Sequence, residues 1–347
     1  MAETAGTGQA PGPLARVLAP VRSLAPGIAL SLTVAAAAGF VADHYGGPVM
    51  LMALLIGMAL AFLSEGPRAG PGIKFSSKKI LRIGVALLGL RIAVSDVVGL
   101  GAGTVGLVLA GIAITIAAAL LAARIAGESS RLGTLIGGAT AICGASAALA
   151  ISSVLPRGAD HERNTIFTVV AVTTLSTIAM VLYPVLFQSA GFTDREIGIL
   201  IGATIHDVAQ VVGAGYAVSG EAGDTATIVK LMRVAMLLPL VLAVSFAFAA
   251  ARKAAASGAK AELPIPGFAI AFAILVGVNS MGIMPEPLRE ALIEVSRWCL
   301  ITAVAAVGLT TSLREIAKVG WPPVLIAISG TLVLLVFCVA VLSLHIV

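Results

Sequence analysis

Charge is scarce in this chain. Of its 347 residues only 11% are Asp, Glu, Lys or Arg, against roughly 25% in a soluble domain, so most of its surface cannot face water. Cysteine is nearly absent as well. Cys143, Cys299 and Cys338 all lie in apolar segments, without the spacing of a metal site or a disulfide framework. There is no Walker phosphate loop, HExxH, dinucleotide fingerprint or nucleophile elbow. The chain therefore does not itself hydrolyse ATP, and no cofactor is expected. No cleavable signal peptide stands at the start: residues 1–20 form a Pro/Gly/Ala-rich stretch without an apolar core, expected to be a disordered cytoplasmic tail. Strand-like alternation of the kind a β-barrel needs does not recur.

What the chain has in abundance is apolar sequence. Hydrophobic residues make up 59% and glycines number 38, the composition of helices that pack closely in lipid. Eleven apolar segments follow one another, at 22–43, 47–64, 78–95, 98–126, 131–155, 162–188, 195–219, 226–252, 265–283, 288–312 and 320–345. Each is near the ~20 residues that cross a ~30 Å hydrocarbon core. The fold class read here is an all-α polytopic membrane protein of about eleven transmembrane helices, with residues 21–347 forming one transporter domain in a bacterial inner membrane. The net charge of +5 would suggest nucleic acid in a soluble chain. Here the basic residues sit in short loops between apolar runs, where membrane orientation accounts for them and nucleic acid is not a partner.

Alternate loops carry Arg16 and Arg22, then Arg68, Lys74, Lys78 and Lys79, then Arg124 and Arg131, Arg195, Arg252 to Lys260, and Arg314 with Lys318. The opposite side has Arg157 and Arg163, with Lys230, Arg289 and Arg91 near helix ends. The bias puts the N-terminus in the cytoplasm and, after an odd number of crossings, the C-terminus in the periplasm.

Two internal echoes organise the chain. Gly89-Leu90-Arg91, Ser95-Asp96 and Gly101 recur as Gly308-Leu309-Thr310, Arg314-Glu315 and Gly320, at a constant offset of 219 residues. The copies, about 22–155 and 195–345, should run in opposite directions, as inverted repeats of secondary transporters do. Chance likeness between Gly/Leu-rich helices is the competing reading. In the second echo, Gly138 to Ser146 lines up with Gly202 to Gln210 at an offset of 64, with Arg131 and Arg195 just ahead of each segment. Glycines at 137, 138, 144, 213 and 215 permit broken or re-entrant helices, whose backbone N–H groups and positive dipole ends suit an anion. They can equally serve close packing. Only 162–188 lies between the two segments, so they would be parallel if each crossed once; one is then a re-entrant hairpin, or the helix count differs.

Candidate site residues follow from polarity inside these runs. Asp207 is costly in lipid, so it should face protein or a water-filled cavity and can couple transport to a proton or sodium ion. His206 titrates near neutrality and can compensate charge or carry a proton, or simply hold a structural hydrogen bond. Gln210 lies three residues after Asp207 on nearly the same helix face. Thr140, Ser146 and Thr204 offer hydroxyls, although helix hydroxyls often bond only their own i−4 carbonyl. Cys143 stands in the place of Asp207 in the other copy, as a packing residue or a functional one. Asn279 in an apolar run needs a partner, and Arg91 can counter a substrate charge. The mixed-charge stretch Pro156 to Arg163 reads first as a solvated loop.

The stretches Gly-Ala-Thr-Ala-Ile-Cys-Gly-Ala-Ser at 138–146, Gly-Ala-Thr-Ile-His-Asp-Val-Ala-Gln-Val-Val-Gly-Ala-Gly at 202–215 and Gly-Val-Ala-Leu-Leu-Gly-Leu-Arg at 84–91 resemble the bacterial YeiH-type sulfate exporter family, over nearly the whole chain beyond residue 20. That family is grouped with the cation:proton antiporter and bile-acid transporter superfamily. The resemblance implies a panel-and-core arrangement with inverted repeats and discontinuous helices, and a sulfate, sulfite or organosulfonate substrate. Together these readings point to a non-enzymatic secondary transporter of a small anion, working by ion-coupled alternating access in contact with membrane lipid, with a homodimer left open. The alternatives are a sodium- or proton-coupled carrier of another organic solute, a channel, and, least favoured, a membrane enzyme using His206 and Asp207.

Overall fold

The computed structural model describes residues 13–45, 48–156, 158, 160–248, 267–310 and 321–344. Every regular element among them is helical. Helix α1 (Pro13–Tyr45) is followed by α2 (Val49–Ala59), then by α3 (Gly70–Phe75) and α4 (Leu81–Leu88), which a π-helical turn at Ser76–Ile80 joins into one rod. Next come the short α5 (Val94–Gly99) and the long α6 (Gly101–Ile125). Helices α7 (Ser130–Ala141) and α8 (Ala145–Val154) precede α9 (His161–Ser189), and α10 (Asp194–Thr204) and α11 (Val208–Val218) precede α12 (Gly220–Ala235) and α13 (Leu237–Ala247). The chain closes with α14 (Gly267–Ser280), α15 (Glu286–Thr310) and α16 (Trp321–Ser343). Helix α1 starts at Pro13, a residue suited to the first helical position, so 13–20 are helical where a disordered tail was expected; residues 1–12 lie outside the described residues.

Six of the described helices are long and apolar enough to cross a membrane: Ser23–Tyr45, Gly101–Ile125, His161–Ser189, Gly220–Ala247, Glu286–Thr310 and Trp321–Ser343. Their outward faces stay apolar. Leu109 and Leu121 of α6, Leu182 of α9 and Val336 of α16 are 48%, 60%, 55% and 65% exposed, which lipid tolerates and water would not. The chain is an all-α, multi-pass membrane protein.

The segments 131–155 and 195–219, read from the sequence as possible spans, each turn back on themselves. A Cβ built on Gly138 of α7 would meet Ile151 Cδ1 of α8 at 2.3 Å. The start of α7 (Ser129, Arg131) and the end of α8 (Leu155, Pro156) line one cavity of about 190 Å³ together with Asp160 and His161. Helices α7 and α8 thus form a hairpin with its tip at Ile142–Gly144. In the second segment Gly198 abuts Ala222 and Thr225, and Gly202 abuts Ala226 and Val229, so α10 runs parallel to α12. Helix α11 reaches α12 through the single residue Ser219, and Gly215 abuts Gly223, so α11 runs back antiparallel. Its tip is Ile205–Asp207. Helix α9, 29 residues long and so about 43 Å at ~1.5 Å per residue, carries the chain from the open end of the first hairpin to that of the second. The hairpins therefore enter from opposite ends, and their tips meet: a Cβ on Gly144 would lie 3.7 Å from His206 Cβ. The 64-residue echo relates two opposed hairpins, not two parallel spans.

Around them the helices divide into two groups. In one, α1, α2, the α3–α4 rod, α14 and α15 approach closely at glycines; Gly57 and Gly308 would bring a Cβ to 2.5 Å of Ala305 O and 2.4 Å of Leu54 O, respectively. In the other, α6 and α16 pack antiparallel, with Gly111 against Leu334 and Gly330 against Thr115, and enclose the hairpins with α9 and α12. The tightest approach joins α1 to α3, where a Cβ on Gly72 would sit 2.0 Å from Leu24 O. Because that neighbour is backbone, Gly72→Ala is expected to lower the melting temperature in detergent, at a cost of ~1–3 kcal/mol; an unchanged melting temperature would contradict this packing.

Candidate functional site

Four half-helix ends converge where the tips meet: the C-terminal ends of α7 and α10 and the N-terminal ends of α8 and α11. A helix leaves its last carbonyls without intrahelical partners and its C-terminal end partly negative. Both such ends here are met by cations from α12. Arg233 donates through Nε to Ala141 O at 2.9 Å, through Nη2 to Thr140 O at 2.9 Å and Ala141 O at 2.6 Å, and through Nη1 to Ala203 O at 2.7 Å, Ile205 O at 3.2 Å and Gly202 O at 3.3 Å. Lys230 Nζ donates to Ile142 O at 2.7 Å and Ile205 O at 2.8 Å. Neither residue is more than 1% exposed.

Sequence reasoning missed this pair. The sequence places Lys230 near a helix end, yet it lies inside the 28-residue run Gly220–Ala247, and nothing in the local pattern singles out Arg233 on its own. The available signal was their spacing: two cations three residues apart in an otherwise apolar stretch share one helix face, and a buried face needs acceptors.

The N-terminal ends are treated differently. Asp207 caps α11, its Oδ1 accepting from Ala209 N at 2.9 Å, while its own backbone N–H donates to Ser176 Oγ at 3.0 Å; the residue as a whole is of intermediate burial. The residue that would cap α8 carries no side chain, and the Cys143 thiol interacts with the Ala147 N–H of the first turn. Gly144, the residue before that turn, has φ +60° and ψ −123°, a conformation open to glycine alone. Cys143 beside it is 5% exposed.

The expected site residues fall into two places. Thr140, Cys143, Thr204, His206, Asp207 and Gln210 gather at or beside the tips. His206 is fully buried with Nε2 2.9 Å from Thr331 Oγ1, and Nδ1 has no hydrogen-bond partner among the described residues. Thr140 Oγ1 and Gln210 Oε1 are likewise buried without one. Gln210 Nε2 donates to Thr177 Oγ1 at 2.7 Å, and Thr204 Oγ1 bonds its own helix at Leu200 O. Ser146, in the first turn of α8, is exposed.

Arg91 and Asn279 lie elsewhere, at the open end of the second hairpin. Arg91 pairs with Asp224 of α12 at 2.9 Å and stacks over Tyr216, whose hydroxyl also bonds Asp224. Asn279 Nδ2 donates to Ile92 O at 3.1 Å. Nearby, Asp96, Arg195, Glu221 and Asp224 line a cavity of about 480 Å³. At the opposite end Lys74, Ser77, Lys78 and Thr310 line one of about 440 Å³. Among the described residues no three His, Cys, Asp or Glu side chains gather into a metal-binding set.

Comparison with known proteins gives a consistent result. The chain matches the family model described as "Conserved hypothetical protein 698" over residues 26–327. It is 51% identical over 320 residues to the UPF0324 membrane protein TauZ of Paracoccus pantotrophus, covering 92% of this chain and 95% of that one. It is 51% identical over 312 residues to a UPF0324 membrane protein of Chlorobaculum tepidum, covering 90% and 87%, and 50% identical over 313 residues to TauZ of Paracoccus denitrificans, covering 90% and 93%. No solved structure matches.

Proposed function

This chain belongs to the UPF0324, or YeiH-type, family of bacterial multi-pass membrane proteins, and from that membership and the geometry of the tips we propose that it is a secondary transporter of a small oxyanion. The observation that carries the reading is the junction itself. Two opposed hairpins meet over two buried cations and one acid, Lys230, Arg233 and Asp207, a formally positive centre inside an apolar protein. Such a centre is expensive in lipid and marks a path for charge. Sulfate, sulfite or an organosulfonate fits it: the first turn of α8, preceded by a glycine that cannot cap it, offers backbone N–H groups and a positive dipole end, with the exposed Ser146 in that turn and the Thr140 hydroxyl and Gln210 beside the tips. Asp207, which is not fully buried, takes up the coupling proton.

In the membrane, the six long helices together with α2, the α3–α4 rod and α14 make nine crossings, and the two hairpins are re-entrant. Within the repeats at about 22–155 and 195–345, α2, the α3–α4 rod and α6 then run opposite to α14, α15 and α16, their counterparts at the 219-residue offset, with α1–α4, α14 and α15 as the panel and the hairpin-bearing helices as the core. Folding back the hairpins moves Arg163 to the side of Arg131, and Arg195 to the other. Arg68, Lys74, Lys78, Lys79, Arg124, Arg131 and Arg163 then share one end of the bundle, and Arg91, Arg195 and Arg289 the other. The basic-rich end faces the cytoplasm, with the N-terminus on that side and the C-terminus in the periplasm. The cavity at Lys74 and Lys78 is the cytoplasmic approach, and the Arg91–Asp224–Tyr216 cluster joins panel to core at the periplasmic end.

Purified protein in liposomes is expected to take up labelled sulfite or sulfate saturably, with a rate that follows an imposed pH gradient. Asp207→Asn is expected to keep solute binding but lose the response to the gradient. An unchanged response removes Asp207 from coupling, and current without saturable exchange identifies a channel.

A further inference from the structure

The two carbonyls that hold the Lys230 ammonium come from different hairpins. Ile142 O follows the C-terminal end of α7, and Ile205 O follows that of α10. Both ends carry partial negative charge, and bringing them tip to tip sets like against like. In transporters with discontinuous helices, unwound backbone carbonyls and half-helix C-terminal ends coordinate a coupling Na⁺. Here Nζ lies 2.7 and 2.8 Å from the two oxygens, with none of the residue exposed. Arg233 meets the remaining carbonyls at Thr140, Ala141, Gly202 and Ala203 and also reaches Ile205 O. The charged and titratable groups in electrostatic reach of the ammonium are Arg233, Cys143, Asp207 and His206.

We propose that Lys230 is a tethered cation: its ammonium fills, as part of the chain, the site between the hairpins that a sodium ion would otherwise have to fill, so the tips hold together without any bound alkali cation. The inference rests on the transporter reading only for its consequence, a sodium-independent flux; the attachment of the tips is a property of the protein alone. Lys230 acts as a positioning residue, and charge, not bulk, is what it supplies.

Cys143 reports on the tips directly, because it sits in the first break and is 5% exposed. In full-length protein with Cys299→Ser and Cys338→Ala, maleimide labelling of Cys143 is followed in sodium, potassium or N-methylglucamine chloride. With Lys230 present the rate is expected to be the same in all three. In Lys230→Ala and N-methylglucamine it is expected to rise at least about tenfold, the change that ~1.4 kcal/mol produces. Sodium or propylammonium, which restores both the missing carbons and the charge, is expected to return it towards the starting rate, whereas neutral 1-propanol is not. Lys230→Met keeps the bulk without the charge and is expected to label as fast as the alanine variant.

Folding of Lys230→Ala only when sodium or propylammonium is supplied would support the same conclusion. The proposal is overturned by unchanged labelling in both variants, by equal rescue with 1-propanol, by saturable sodium protection of the protein that retains Lys230, or by failure of both variants to fold in every cation. None of these readouts needs a transported solute, so a negative result here leaves the oxyanion reading standing, and a negative flux assay leaves this one.

Discussion

Arg233→Met is expected to cost the protein its fold. Five carbonyl groups, those of Thr140, Ala141, Gly202, Ala203 and Ile205, lose a donor at once, and all sit in the interior where no water replaces it. A buried polar group left unsatisfied costs ~1–3 kcal/mol, and a folded domain holds a margin of only ~5–15 kcal/mol. The α7 and α10 ends would also face each other with one cation fewer. Membrane abundance and the melting temperature in detergent should both collapse. Arg233→Lys keeps the charge but not the planar fork that reaches both hairpins, so partial recovery is expected. A methionine variant melting within a few degrees of the parent would show that the guanidinium is not what joins the hairpins.

The second large effect is all-or-none. In a chain without its three native cysteines, Ser129→Cys and Asp160→Cys are expected to react with a membrane-impermeant maleimide from one and the same face, and Asp194→Cys only from the opposite face. The open end of the first hairpin holds both Ser129 and Asp160, whereas Asp194 opens the second hairpin at the far end of α9. If 131–155 crossed the bilayer once, Ser129 and Asp160 would label from opposite faces. The same measurement in right-side-out vesicles gives the absolute orientation.

Several features were legible in the residues alone. Hydropathy depends on local composition, so lipid as the solvent and the eleven apolar segments follow from the string itself. The breaks were legible for a similar reason. Gly144 and the His206-Asp207 pair are residues that a continuous apolar helix does not choose, and both mark the tips. Asp207 was expected to face something other than lipid, and it caps α11. Arg91 and Asn279 read from the sequence as site candidates without a place, because polarity in an apolar run carries no address; they belong to the far end of the bundle.

Chain order alone determined that this protein lives in lipid, and it marked two glycine-rich segments where a helix can be interrupted and several polar side chains too costly to be idle there. Tertiary structure alone decided that the interruptions are turn-backs, and that Lys230 and Arg233 close them. The reason is physical: an apolar segment of about 25 residues satisfies the same hydrophobic requirement whether it crosses once or folds back inside a protein-lined space. What selects between them is a partner distant in sequence, here the α12 cations 88 to 93 residues beyond the first tip's carbonyls, and no local pattern encodes that meeting.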